Sequence, residues 1–145
     1  GGAMALIDNV EVEKTNYFMP YATVMRVRTG GDLVFISGAT ALPLYHQHPH
    51  EFDKLHPPVD IRGQARNVME NLKKCLESVG ATWTDVVRTD AYLTHMEEDQ
   101  DVVGRVFAEY FGNHFPTSTW VEVKRLVDPR LRLEVSAIAV IKSRG

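Results

Sequence analysis

The sequence predicts an α+β domain, one mixed sheet with two helices packed on a single face. Residues 60–79 and 97–111 each repeat apolar side chains at helical spacing along one stripe. Short alternating or continuous apolar runs stand before, between and after them, giving the order β-β-α-β-α-β-β. Both helical stripes need a partner face, and one sheet face supplies it.

From Thr23 to Thr29, Val24, Arg26 and Arg28 alternate with Thr23, Met25 and Val27; Gly30-Gly31-Asp32 and the apolar run Leu33-Val34-Phe35-Ile36 follow. Two strands joined by a Gly-Gly hairpin turn are expected, because glycine supplies the positive φ of tight turns. Leu42 to Val59 has no periodicity and carries four prolines and four histidines. It is longer than most connections in a compact domain, which marks it as functional or mobile. Ile61, Ala65, Val68, Met69, Leu72, Cys75, Leu76 and Val79 form the first helical stripe, with Asp60 as its cap and Gly80 as its stop. Val86 to Leu93 reads as a strand. Val102, Val103, Val106, Phe107, Tyr110 and Phe111 form the second stripe; Glu97, Glu98 and Asp99 suit its N-terminal dipole, and Gly112 ends it. Thr119 to Val123 and Leu131 to Ile141 are the last strands, the second apolar enough to be central in the sheet.

The 145 residues fit one domain, residues 4–145, preceded by an expression remnant, Gly1-Gly2-Ala3. A net charge of −3 without a dense Lys/Arg run lacks the cationic footprint that nucleic acid requires, which disfavours nuclease activity. No apolar run approaches the ~20 residues of a membrane span. No basic segment precedes an apolar one in the manner of a signal peptide, so a cytoplasmic location is expected. Cys75, the single cysteine, cannot form an internal disulfide and lies on the first helical stripe as a core residue. There is no Gly-rich phosphate loop and no Cys-x-x-Cys, so no cofactor is expected.

The segment Phe115-Pro116-Thr117-Ser118-Thr119-Trp120-Val121-Glu122-Val123-Lys124-Arg125-Leu126, followed by Leu133-Glu134-Val135-Ser136-Ala137-Ile138-Ala139-Val140, resembles the C-terminal signature of the Rid/YjgF family, reactive-intermediate deaminases also described as L-PSP endoribonucleases. Pro20-Tyr21, Phe35-Ile36-Ser37-Gly38, Gln64-Ala65-Arg66, Asn71-Leu72 and the aromatics Phe107, Tyr110 and Phe111 extend the resemblance from Pro20 to Ile141. It implies a chorismate-mutase-like α+β fold, a homotrimer with pockets at the subunit interfaces, and hydrolysis of enamines or imines such as 2-aminoacrylate to keto acids and ammonia. The sequence departs from the family pattern at four points. Ser118 stands where the family has the Arg that grips a substrate carboxylate, a bidentate task a hydroxyl cannot perform. Trp120 replaces a small pocket residue, Ser136 the second C-terminal acid, and Gly104 an Asn early in the second helix.

Glu134 and Ser118 are the expected catalytic residues, and Tyr21, Ser37, Gly38, Trp120, Tyr45 and His46 the expected contacts to a small-molecule ligand. The resemblance points to Tyr21, Glu134 and the Ser37-Gly38 strand end, the side-chain chemistry to Ser118 and Trp120, and the long segment before the first helix to Tyr45 and His46. Glu134 would position or deprotonate water, while Ser118 and backbone amides at Ser37-Gly38 would hold developing charge. Alternatives stand beside these roles: Ser118 on an exposed strand edge, Trp120 as space filler rather than stacking platform, Glu134 on a solvent face. Arg26, Arg28, Arg66 and Arg88 are candidate substitutes for the missing clamp. The Leu42–Val59 segment is expected to border the pocket as a lid, with Tyr45 or a histidine as acid or base. His46, His48, His50 and His56, with Glu51 and Asp53, have the chemistry of transition-metal ligands. Their spacing matches no specific metal motif, and no metal is expected. The functional expectation is a hydrolase of the deaminase type acting on a small unsaturated nitrogenous metabolite; the alternative is a non-catalytic metabolite-binding module.

Overall fold

The computed structural model describes residues 5–10, 14–16, 18, 24–28 and 30–143. Gly1-Gly2-Ala3 and the predicted strand limits Thr23 and Thr29 lie outside them. In chain order the elements are β1 (Ile7–Val10), β2 (Val24–Val27), β3 (Gly31–Ala39), α1 (Ile61–Ser78), β4 (Val86–Leu93), α2 (Met96–Phe111), β5 (Thr117–Glu122) and β6 (Leu133–Lys142). The main sheet has the order β3-β6-β4-β5; β4 and β5 are parallel and the other pairs antiparallel. The most apolar strand, β6, is central, as expected.

Both helices cover one face of this sheet. Ala65, Val68, Met69, Leu72 and Leu76 of α1 and Val103, Val106, Phe107 and Phe111 of α2 pack on Ala91 and Leu93 of β4 and on Leu133, Val135, Ala137 and Ala139 of β6. A fully buried leucine such as Leu72 contributes about 1.5–3 kcal/mol. Cys75 packs against the same cluster, and burial pushes its thiol pKa up. Asp60 caps α1 by accepting from the Gly63 amide at 2.9 Å, and Gly80 and Gly112 take the positive φ at the helix ends.

One expected pairing is different. β2 does not form a hairpin with β3; it pairs antiparallel with β1 in a separate two-stranded ribbon. Charge adds to the backbone ladder: the Asp8 carboxylate accepts from both Arg26 and Arg28 at 2.6 Å. Those hydrogen bonds, Arg26 foremost, hold its pKa down to about 2. β3 spends its ladder on β6, and Gly31 lies so close to the Ile141 carbonyl that a Cβ would collide with it.

Two buried polar side chains fix the helices to β6. Gln64 donates from Nε2 to the carbonyls of Pro58 and Arg130, each at 2.9 Å, and accepts from the Arg132 amide at 2.8 Å. Asp99 accepts from the Arg132 guanidinium at 2.8 and 2.9 Å. The substitution Gln64→Leu keeps the bulk but strands three backbone groups, each costing about 1–3 kcal/mol. A loss of at least about 3 kcal/mol is expected in urea denaturation; a loss below about 1 kcal/mol would show that water takes over these bonds.

Candidate functional site

Successive strand residues point to opposite faces of a sheet, and this separates the sequence-predicted site residues into two groups. In the β4–β5 ladder Ser118 is opposite Thr89 and Trp120 opposite Ala91, both buried toward the helices. Ser118 and Trp120 therefore face α2, and with it they bound a cleft of about 710 Å³. Phe107, Phe111, Phe115 and Trp120 give it aromatic walls, and Gln100, Asp101 and Arg105 of α2 add polar and charged groups of both signs. Gly104 opens it on the helix side, since a Cβ there would touch nothing within 4 Å.

Trp120 stands edge-on to Phe107, with ring centroids 5.4 Å apart, and its indole N–H donates to Ser118 Oγ at 2.9 Å. Thr89 Oγ1 donates to the same oxygen at 3.0 Å. A hydroxyl oxygen has two lone pairs, and both are engaged. The Ser118 O–H is left as a donor at the cleft wall, and Trp120 both fills space and fixes that donor.

Glu134 belongs to the second group. It lies between Leu133 and Val135, which are buried against the helices, so its side chain occupies the helix-free face. The β3–β6 register slips between Ile36 and Ala39, and a bulge at Ser37-Gly38 results. A Cβ on Gly38 would run into the Glu134 carboxylate, so glycine is what admits this carboxylate to the bulge. Half-burial there raises the Glu134 pKa by desolvation. Ser37 is exposed beside it.

Within one chain these two groups do not meet. Tyr21, and Pro20 before it, lie outside the described residues. Tyr45 is 90% exposed, and His46 is half-buried in a cluster with His48 and His50; burial first, and then these two rings, lowers the His50 pKa. The Leu42–Val59 segment does not line the Ser118–Trp120 cleft of its own chain. Its start is pinned to α1, where Asn71 Nδ2 donates to the carbonyls of Thr40 and Leu42 at 3.0 and 2.8 Å, and Leu42 and Leu55 pack on Leu131.

The four arginines considered as substitute clamps are engaged: Arg26 and Arg28 with Asp8, Arg66 with Glu109, Arg88 with Asp90. Sequence reasoning missed the polar cleft residues Gln100 and Asp101, and with them Arg105 and His114. Arg105 follows Gly104 on α2, is exposed, and forms no ion pair among the described residues. His114 Nε2–H donates to the Val86 carbonyl at 2.6 Å, which leaves Nδ1 as the acceptor in the neutral ring. The signal that could have found Arg105 and His114 was proximity to Gly104 and Pro116, positions already singled out.

The Endoribonuclease L-PSP family model matches residues 14–141. A RutC family protein of Pyrococcus abyssi is 33% identical over 120 residues, 83% of this chain and 85% of that protein. Another, from Pyrococcus horikoshii, is 42% identical over 80 residues, 55% of this chain and 62% of that protein's length. Among solved structures, Escherichia coli TdcF with bound serine superposes with a TM-score of 0.65 at 27% identity, covering 87% of this chain and 91% of that one. The curated sequence of TdcF, described as a putative reactive intermediate deaminase, is 31% identical over 86 residues, 57% of this chain and 65% of its own length. A mixed sheet with two helices on one face, carrying the cleft between its edge strand and the second helix, defines an α+β protein of this structural class. The chain belongs to the Rid/YjgF family, that of the L-PSP endoribonuclease model.

The raised Glu134 pKa means that the folded chain holds this proton more tightly than the unfolded one. The stabilisation is complete below the unfolded value, about 4.3, and is lost as pH rises through the folded value. Glu134→Gln is therefore expected to melt above wild type at pH 7 and together with it near pH 4. An advantage of the same size at both pH values would mean that burial of charge is not its source.

Proposed function

We propose that the protein is a hydrolase of the deaminase type acting on a small, planar, unsaturated nitrogenous metabolite. The observation that carries this reading is the cleft with aromatic walls in which a neutral donor, Ser118, is fixed beside Trp120. Planar ligands gain from aromatic walls, and few placed polar groups suffice to orient them. Water adds to the C=N carbon of an imine as a base takes one of its protons and passes it to the nitrogen; the hydroxyl proton of the tetrahedral adduct then follows by the same base, so that the C–N bond breaks, ammonia leaves and the carbonyl forms. Glu134, with its raised pKa, is the proposed base, and Ser118 donates to the charge that develops. An enamine first takes a proton on carbon to reach the same imine.

Glu134 and Ser118 face opposite sides of one sheet, so this chemistry requires a second copy to bring its helix-free face to the cleft. Leu33 and Phe35, 59% and 71% exposed on that face, support such an assembly, and a homotrimer is the proposed form. Light scattering is expected to give three times the chain mass for wild type and a smaller species for Phe35→Glu. A wild-type monomer at micromolar concentration would end the proposal.

Without an Arg at position 118, the carboxylate of a short imino acid loses its clamp. The cleft is also large for a three-carbon substrate, and Arg105 offers its charge from the α2 wall. Longer ligands, with an anionic end away from the C=N carbon, fit this distribution better. Ammonia release is thus expected to be slow with 2-aminoacrylate beside an Arg-containing relative, and faster with longer unsaturated imines. Arg105→Ala should raise KM for the latter about 10- to 100-fold, the worth of a charged hydrogen bond. Equal turnover of 2-aminoacrylate by this protein and the relative would overturn the assignment of Ser118. Ligand binding without ammonia release across the panel favours the second reading, a metabolite-binding module, which the replacement of Arg by a neutral donor supports.

A further inference from the structure

The Leu42–Val59 segment brings three imidazoles together. The ligating nitrogens of His46, His48 and His50 all lie within 4.8 Å of one another, the one group of three such side chains among the described residues. His46 Nε2 and His50 Nε2 are 3.0 Å apart. The expectation from sequence was no metal, because His-x-His-Pro-His on an irregular segment matches no known spacing; spacing, however, says nothing of where the rings turn.

The hydrogen bonds say which nitrogen holds the lone pair. His46 Nδ1 is 2.8 Å from the Pro43 carbonyl. A carbonyl only accepts, so Nδ1 carries the hydrogen and the lone pair of the neutral ring resides on Nε2, where it accepts from His50 Nε2–H, a hydrogen bond that a metal ion at His46 would displace. A ligating histidine characteristically donates its other ring N–H to a backbone carbonyl in this way, which fixes both tautomer and orientation. His50 is stacked on Phe52, with centroids 5.1 Å apart and planes inclined by 12°. The Phe52 and Leu55 carbonyls are held at 3.0 and 2.8 Å by Arg130, itself held by the buried Asp128. With Asn71 anchoring the other end at Leu42, the cluster sits on a braced segment.

We infer that His46, His48 and His50 form a binding site for a divalent transition ion of the zinc class, through three imidazole nitrogens and with one coordination position open to water. Zn–N bonds of about 2.0–2.1 Å set tetrahedral nitrogens about 3.4 Å apart. The cluster reaches this by moving its closest pair slightly apart and drawing any wider pair inward. His48, the exposed member, is the natural point of entry for the ion. The site is separate from the Ser118–Trp120 cleft of the same chain, so it stands whether or not the deaminase reading does.

The test is calorimetric titration of the tag-free, chelator-treated chain with zinc chloride. One ion per chain is expected, with affinity lowered at least about tenfold, the least that even an outer-shell partner is worth, by each of His46→Ala, His48→Ala and His50→Ala. His56→Ala, in the same segment but outside the cluster, should bind as wild type does. Far-UV melting of the metal-free variants controls for folding, and His48→Ala is informative even if a less exposed substitution disturbs the segment. Cobalt(II) in place of zinc should show the intense visible bands of a four- or five-coordinate ion. A pale six-coordinate spectrum, failure to bind zinc, or weak binding that survives the His46→Ala/His50→Ala double change would overturn the site, the last as adventitious surface binding only.

Discussion

Residue 132 ties both helices to the main sheet. Its amide is taken by Gln64 of α1, its carbonyl accepts from the Thr94 amide at the end of β4 at 3.1 Å, and its guanidinium grips Asp99 of α2, with Glu98 added at the rim. Gln64 is completely buried and Asp99 nearly so, so neither can exchange its partner for water. The start of the central strand thereby fixes both helices in axial position. The cleft depends on this, because its wall from Gly104 to Phe111 is the continuation of the helix that Asp99 anchors.

The elements were legible where local chemistry and tertiary demand agree. β4 spans the predicted residues, and the caps at Asp60, Gly80 and Gly112 are where capping logic puts them. The β1–β2 ribbon was not legible. Its ion pairs join a carboxylate to two guanidiniums 18 and 20 positions apart, and a four-residue strand carries too little periodicity to announce itself. The same ion pairs remove Arg26 and Arg28 from the list of available cations, which no reading of the alternation alone could do.

Candidate residues can be named from the sequence, but not which of them share a face of the sheet. Ser118 and Glu134 occupy even positions on neighbouring elements of the signature, yet ladder register sends one to the helices and the other away from them. Register is a property of pairing, and the sequence does not display it. The Ser118 hydroxyl was visible in the sequence, but its surroundings were not: Trp120 and Thr89 both donate to its oxygen and leave the O–H as a donor. Neutral hydrogen bonding of this kind discriminates by shape and donor direction more than by charge.

The bulge at Ser37-Gly38 works as a phase inverter. Upstream of it, odd-numbered Leu33 and Phe35 face away from the helices; downstream, odd-numbered Ala39 faces them, opposite Val135. One strand thus presents an apolar outer surface along most of its length and still delivers its end inward, where Asn71 can take hold of the chain. Side chains on either side can drift with little consequence for this inversion. The number of residues cannot, because removing one would turn Ala39 outward and carry the chain away from the Asn71 contact to Thr40.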